Sequence, residues 1–179
     1  MIRPEPALGM RAARGGKMTL YDQSDDVGLR LSEVEKRLTA AESKAEAIET
    51  IRATARSIVG SDGITIVLRE GDLCHYVEED AIAPLWKGQH FLMSACISGW
   101  SMLNAQAAVI EDVFADPRIP HDAYRPTFVK SMIMTPIGDT KPVAAIGAYW
   151  QEKRKFTANE IATIKSLSVI IGKALSYLV

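Results

Sequence analysis

The chain has 179 residues, room for one hydrophobic core and one accessory element. Its composition, 47% hydrophobic and 24% charged, is that of a globular protein in water, and a net charge of −1 provides no field that favours nucleic acid or acidic lipid. No apolar run reaches the roughly 18 residues of a membrane helix, no apolar stretch follows the basic N-terminus as in a secretory signal, and Cys74 and Cys96 form neither a disulfide framework nor a metal spacing. The expectation is a cytoplasmic protein that binds neither membrane nor nucleic acid.

Residues 1–25 read as a disordered tail, because "MIRPEPALGMRAARGGKM" has Pro, Gly and Arg but no apolar period. Residues 26–59 read as one long helix with a heptad seam at Val27, Leu31, Val34, Leu38, Ala41, Ala45 and Ile48. After Ile48 the phase slips, to Ile51, Ala55 and Ile58. The first part is expected to face a second copy of the chain and the second part to dock on the following domain. An amphipathic helix packed within its own chain is the alternative.

"SDG" at 61–63 stops that helix. "ITIVLRE" and "LCHYVEED" read as strands joined by a Gly-Asp turn. "AIAPLWKGQHFLMS" reads mostly as loop, and "ACISGWSMLNAQ" as a small helix capped by Ser94. "AAVIEDV", "KSMIMTPI" and "PVAAIGAYWQE" are three more strands. The last segment, from Thr157, is a helix with Thr157 and Glu160 as a capping box. Its apolar stripe runs through Ile161, Ile164, Leu167, Ile171, Leu175 and Leu178.

One connection is unusually long. "FADPRIPHDAYRPTFVKSMIMTPI", residues 114–137, holds three prolines, a histidine and three aromatic residues before it becomes a strand, which contains a fourth proline. Compact domains seldom carry such a connection without a use for it. Hairpins imply an antiparallel sheet, so the class is α+β, with the terminal helices on one face. The loop at 78–93, the small helix and the 114–137 connection would cover the other face and leave a cavity for a small ligand.

"SACISGWSMLNAQAAVIEDVFADPRIPHDAYRPTFVKSMIMTPI" followed by "PVAAIGAYW" resembles a GAF domain, of the sensory kind found at the input end of bacterial histidine kinases and related signalling proteins. The resemblance spans residues 48–179, with 60–179 as the domain proper. It implies a six-stranded antiparallel sheet, helices behind it, and a pocket in front roofed by the quoted connection. "APLWKGQHFLM" is the segment that would supply the sixth strand.

The resemblance also implies a test of each ligand type. Bilin-binding relatives attach the chromophore through a cysteine in the roof; the matching position here is Ala123 or its neighbour, and no cysteine lies between 97 and 179, so no covalent bilin is expected. The cyclic GMP pattern N-K-X-F-X-D-E is absent. Free methionine-(R)-sulfoxide reductases are stand-alone GAF proteins of this size. Cys96 falls where one of their cysteines lies, but the roof cysteine expected near Asp122 to Thr127 is missing. A small buried apolar residue is the other reading of Cys96.

The expected ligand-binding set is Phe91, Cys96, Trp100, Asp116, His121, Tyr124, Arg125 and Phe128. The aromatic members favour a planar compound. Arg118 and Arg125 could hold an anion; for Arg118, pairing with Asp116 or Asp112 to tie the loop down is preferred. His121 either donates to a ligand or bonds the loop backbone. His75, His90 and His121, spread over strand, loop and roof, show no ligand spacing, and no metal site or catalytic residue is expected. The cofactor is unknown.

The function expected is a sensory, small-molecule-binding or regulatory module of bacterial signal transduction. It would act as a homodimer on a separate or missing output module: no kinase, cyclase or DNA-binding segment is read up to Val179, so the chain either acts on a signalling partner or is a fragment or relic of a kinase input domain. The alternatives are an enzyme of the reductase type and a GAF domain that only dimerises.

Overall fold

The computed structural model describes residues 20–178. Two helices, α1 (Leu20–Thr39) and α2 (Lys44–Val59), precede strands β1 (Gly63–Glu70), β2 (Leu73–Ala81) and β3 (His90–Leu92). Then come α3 (Ile97–Asn104), β4 (Ala108–Ile110), the one-turn helix α4 (His121–Tyr124), β5 (Ser131–Ile137), β6 (Ala144–Trp150) and α5 (Ala158–Tyr177). The strands form one antiparallel sheet in the order β3-β2-β1-β6-β5-β4. The fold is α+β, and the sixth strand is β3, supplied by the "APLWKGQHFLM" segment.

The period-2 alternation of the strands divides the interior into two cores. Ile64, Ile66, Ile133, Ile137, Ile146 and Ala148 face α1, α2 and α5. Val67, Cys74, Tyr76, Met132, Met134 and Tyr149 face the opposite side, covered by α3, α4 and the long connections. Between Ile66 and Val67 the β1–β2 register shifts by one residue, with Val77 as the extra one. That bulge keeps Cys74 and Tyr76 on the covered face and turns His75 to the helix face.

The single helix expected over 26–59 is instead two. Ala40 to Ser43 break it, with Ala41 buried at the corner. The Ser43 hydroxyl accepts the N–H of Glu46, and the Glu46 carboxylate accepts the N–H of Glu42. These two bonds satisfy backbone donors at and just before the start of a new helix. The Ser-x-x-Glu pattern at 43–46 is its sequence signature, and the phase slip after Ile48 marks the new helix's own apolar face. Of the expected tail, residues 20–25 begin α1, and the expectation for residues 1–19 lies outside the described residues.

The α1 part of the heptad seam points inward, whereas Ala45, at the start of α2, is exposed. Val34, Leu38 and Ala41 are buried in the core that α1 shares with α2 and α5, with Leu31 partly buried against it. The packed-within-its-own-chain alternative is the arrangement observed. A stripe on a lone helix has the same period whether it meets a partner chain or a helix far along its own. At the other end, Thr157 and Glu160 form the full capping box of α5.

Candidate functional site

The covered face of the sheet holds an aromatic cluster. Tyr76 comes from β2 and Tyr149 from β6; Tyr124 closes α4; Trp86 comes from the loop between β2 and β3. The Trp86 ring lies 4.8 Å from Tyr124, 5.6 Å from Tyr149 and 5.7 Å from Tyr76 between centroids. Phe91 meets Tyr76 edge-on at 5.5 Å. Such tilted and edge-to-face contacts are the favoured aromatic geometries. Tyr76, Trp86, Phe91, Cys96, Pro120, Ala123 and Tyr124 line what space is left, a cavity of ≈ 10 Å³. That is room for about one water, so the protein's own side chains fill the place under the roof.

Trp86 is held there by its loop. The Glu79 carboxylate accepts the backbone N–H groups of Leu85, Trp86 and Lys87, each at 2.9 Å. The Gly88 N–H donates to Tyr76 O at 2.7 Å, with Gly88 in the left-handed region at φ 81°. One β2 carboxylate thus folds the loop so that its indole enters the interior, where it is 6% exposed.

A polar line runs beneath the aromatics. The Tyr76 hydroxyl and Ser98 Oγ are 3.0 Å apart, Ser98 Oγ and Cys96 Sγ 3.2 Å, and the Gly99 N–H donates to Cys96 Sγ at 3.4 Å. Cys96, not Ser94, is the N-cap of α3. Interaction with the Cys74 thiol, then the Ser98 hydroxyl and the Gly99 and Ser98 backbone, holds the Cys96 thiol below the ordinary thiol range against the opposing effect of burial. The same interaction and burial push Cys74 up. Burial pushes Tyr76, Tyr124 and Tyr149 above the ordinary phenol range, so all three stay neutral near pH 7. Tyr149 and Thr65 share a hydroxyl hydrogen bond of 2.8 Å.

The eight residues singled out from the sequence divide into two groups. Phe91, Cys96 and Tyr124 surround the cavity, and Phe128 packs beside it against the backbone of Gly63. Trp100, Asp116, His121 and Arg125 lie away from it. Trp100 carries the Arg118 guanidinium 4.4 Å above its ring. Asp116 accepts from Arg118 Nε at 2.9 Å, from Nη2 at 2.6 Å and from the Arg118 backbone N–H at 2.9 Å. The guanidinium holds the Asp116 carboxyl below the usual range. His121 Nε2 donates to the Asp116 carbonyl at 3.1 Å, the backbone alternative. Arg125 meets exposed Asp122 at 3.1 Å. Trp100, Asp116 and His121 fasten the roof from outside, whereas the Arg125–Asp122 pair is exposed and stays within it.

Trp86, Tyr76, Tyr149 and Ser98 were not singled out. Tyr76 was legible, two residues from Cys74 on a strand and so on the same face. Trp86 was not, because no period governs a loop. The view of the histidines also needs correction. His121 stands apart, but β2 and β3 pair His75 directly with His90, their rings stack at 3.9 Å, and Glu70 touches both. Sequence separation hid a contact that strand register creates.

The GAF domain family model matches residues 41–176, a span that includes α2. No curated protein matches the chain. Among solved structures, a free methionine-R-sulfoxide reductase from Neisseria meningitidis, solved with its substrate, superposes with a TM-score of 0.75 at 15% identity, over 96% of each chain. The GAF domain of a phosphoenolpyruvate-protein phosphotransferase from Coxiella burnetii gives 0.75 at 12% identity, over 86% of this chain and 95% of that one. A fragment of a methyl-accepting chemotaxis protein gives 0.69 at 17% identity, over 81% and 96%.

Proposed function

Since the chain belongs to the GAF domain family, we propose that it is a sensory module whose ligand is a planar, largely apolar molecule that takes the place of Trp86. The observation that carries this reading is the origin of the side chain filling the site. Three walls come from β2, β6 and α4, whereas the indole between them comes from a loop fastened by one carboxylate, Glu79. A ligand entering there meets neutral phenols and the Ser98 hydroxyl, groups that offer hydrogen bonds without demanding charge.

Displacing the loop would alter the covered face of β1, β2 and β6, whose other face packs on α1, α2 and α5. Those helices are the route by which occupancy reaches an output protein in bacterial signalling. The ligand shifts the equilibrium only by its difference in affinity for the open and closed roof. A homodimer cannot use Val34 and Leu38, which are already buried; Leu29, Val169 and Tyr177 are the exposed apolar residues of α1 and α5 that a second copy would cover.

The cysteines favour a second reading, a thiol enzyme of the methionine sulfoxide reductase type. Cys96 would attack the sulfoxide sulfur, and Cys74 would then close a disulfide with release of methionine and water; an external thiol would restore both. Cys96 at a helix start, with Cys74 as neighbour, is the arrangement such chemistry uses.

Native mass spectrometry on freshly purified protein tests the first reading. A dimer carrying extra mass supports it, and that mass identifies the ligand. A chain that remains bare in the presence of planar aromatic compounds overturns it. Thiol-dependent turnover of methionine-R-sulfoxide, lost in Cys96→Ser, would establish the second reading; no turnover by the unaltered chain ends it.

A further inference from the structure

On the helix side of the sheet, at its β3 edge, three side chains converge that the pocket does not use. His75 of β2 lies opposite His90 of β3, and their imidazoles stack at 3.9 Å with 19° between planes. Glu70, the last residue of β1, places one carboxylate oxygen 2.7 Å from His75 Nδ1 and the other 3.3 Å from His90 Nε2. One potential ligand atom from each residue lies within 4.8 Å of the other two. Cys74 and Phe91, strand neighbours of the two histidines, face the other side, so the cluster is separate from the pocket.

We propose that Glu70, His75 and His90 bind one divalent transition-metal cation of the zinc class. The donor set decides the class. Two imidazoles and one carboxylate suit zinc, cobalt or nickel, whereas magnesium and calcium take oxygen ligands. Zinc bound at about 2.0–2.2 Å to nitrogen and oxygen in tetrahedral geometry holds neighbouring ligand atoms about 3.3 Å apart. The carboxylate–nitrogen separations here are 2.7 and 3.3 Å. The stacked rings present their nitrogen lone pairs side by side, so binding requires side-chain rotations that unstack the imidazoles; all three side chains are partly exposed, 50% for Glu70, 27% for His75 and 41% for His90, which leaves room for those rotations. The nearest cationic side chain along β1, Arg69, is directed to the opposite face by strand alternation and bonds the Gly71 carbonyl. Three protein ligands leave a fourth position for water or an incoming donor.

Such an ion would do mechanical work. β3 is three residues long and lies at the sheet edge. It ends the loop that carries Trp86. A cation bridging β1, β2 and β3 would pin one end of that loop, while Glu79 pins its middle.

The test uses the full chain without a histidine tag, titrated with Co²⁺ and then Zn²⁺. The expected results are the visible absorption of low-symmetry cobalt, one ion per chain, displacement by zinc, and a melting midpoint that rises with zinc concentration. His75→Ala, His90→Ala and Glu70→Gln should each weaken binding at least about tenfold. Cys74→Ser, Cys96→Ser and His121→Ala should leave it unchanged. Folding of each variant is checked by circular dichroism. In the unaltered chain, Co²⁺ should broaden amide signals around residues 70–75 and 89–91 before any others. No saturable binding, binding that survives in His75→Ala/His90→Ala, or binding lost in Cys74→Ser would each overturn the proposal.

Discussion

Replacing Trp86 by alanine separates a residue that merely packs from one that occupies a ligand's place. The indole is 6% exposed and lies within 6 Å of three tyrosine rings. Truncation returns roughly 150 Å² of apolar surface to water or to an empty cavity, and at about 25 cal/mol per Å² that costs roughly 4 kcal/mol. The figure sits inside the roughly 3–5 kcal/mol range for buried Trp→Ala changes. For a chain of this size it corresponds to a drop of roughly 8–16 °C in melting midpoint. The assay is urea unfolding followed by circular dichroism, with and without free indole. If the walls hold their shape, indole fills the vacated space and restores stability with its concentration, by about 2.7 kcal/mol at a hundredfold excess over its dissociation constant. A loss below about 1 kcal/mol would show that Trp86 is not packed as described. A full loss that indole does not relieve would show that the roof collapses into the gap, and the displacement model for ligand entry would fall.

Two further outcomes follow from the geometry. Gly99→Ala in α3 should destabilise by at least about 3 kcal/mol, although alanine ordinarily favours a helix by about 1 kcal/mol, because the new Cβ would overlap the backbone of Met93; equal or higher stability in urea unfolding would refute that packing. Asp116→Asn should cost about 1 kcal/mol at pH 7 through the Arg118 pair that fastens the roof. Because the folded carboxyl titrates below its unfolded value, that contribution is complete above about pH 4 and fades as pH falls through the lower folded value, so variant and parent should converge in acid; a pH-independent difference would disprove the assignment.

Much of the fold was legible because it depends on short-range pattern. The alternation in "ITIVLRE", the Gly-Asp turn and the Thr157–Glu160 box fixed strands, hairpin and helix start from neighbouring residues alone. Phe91, Cys96 and Tyr124 were found through their family resemblance and do meet around one cavity. Trp100 and Asp116 were assigned to the ligand because they carry suitable groups, yet each is engaged with Arg118. A residue's chemistry tells what it can bind, and only its neighbours show what it has bound.

By itself, then, the sequence determined the local geometry: periodicity, caps and turns act over a few residues, where chain connectivity already sets the distance. The tertiary structure decided everything that depends on which distant segments meet. It turned the heptad seam of α1 inward against α5, because covering that stripe within the chain costs no association entropy. It placed a loop tryptophan among three tyrosines, and it set His75 against His90 with Glu70 touching both. Strand register is fixed by the whole sheet's alternation, so a pairing across fifteen residues carries no mark in the residues themselves.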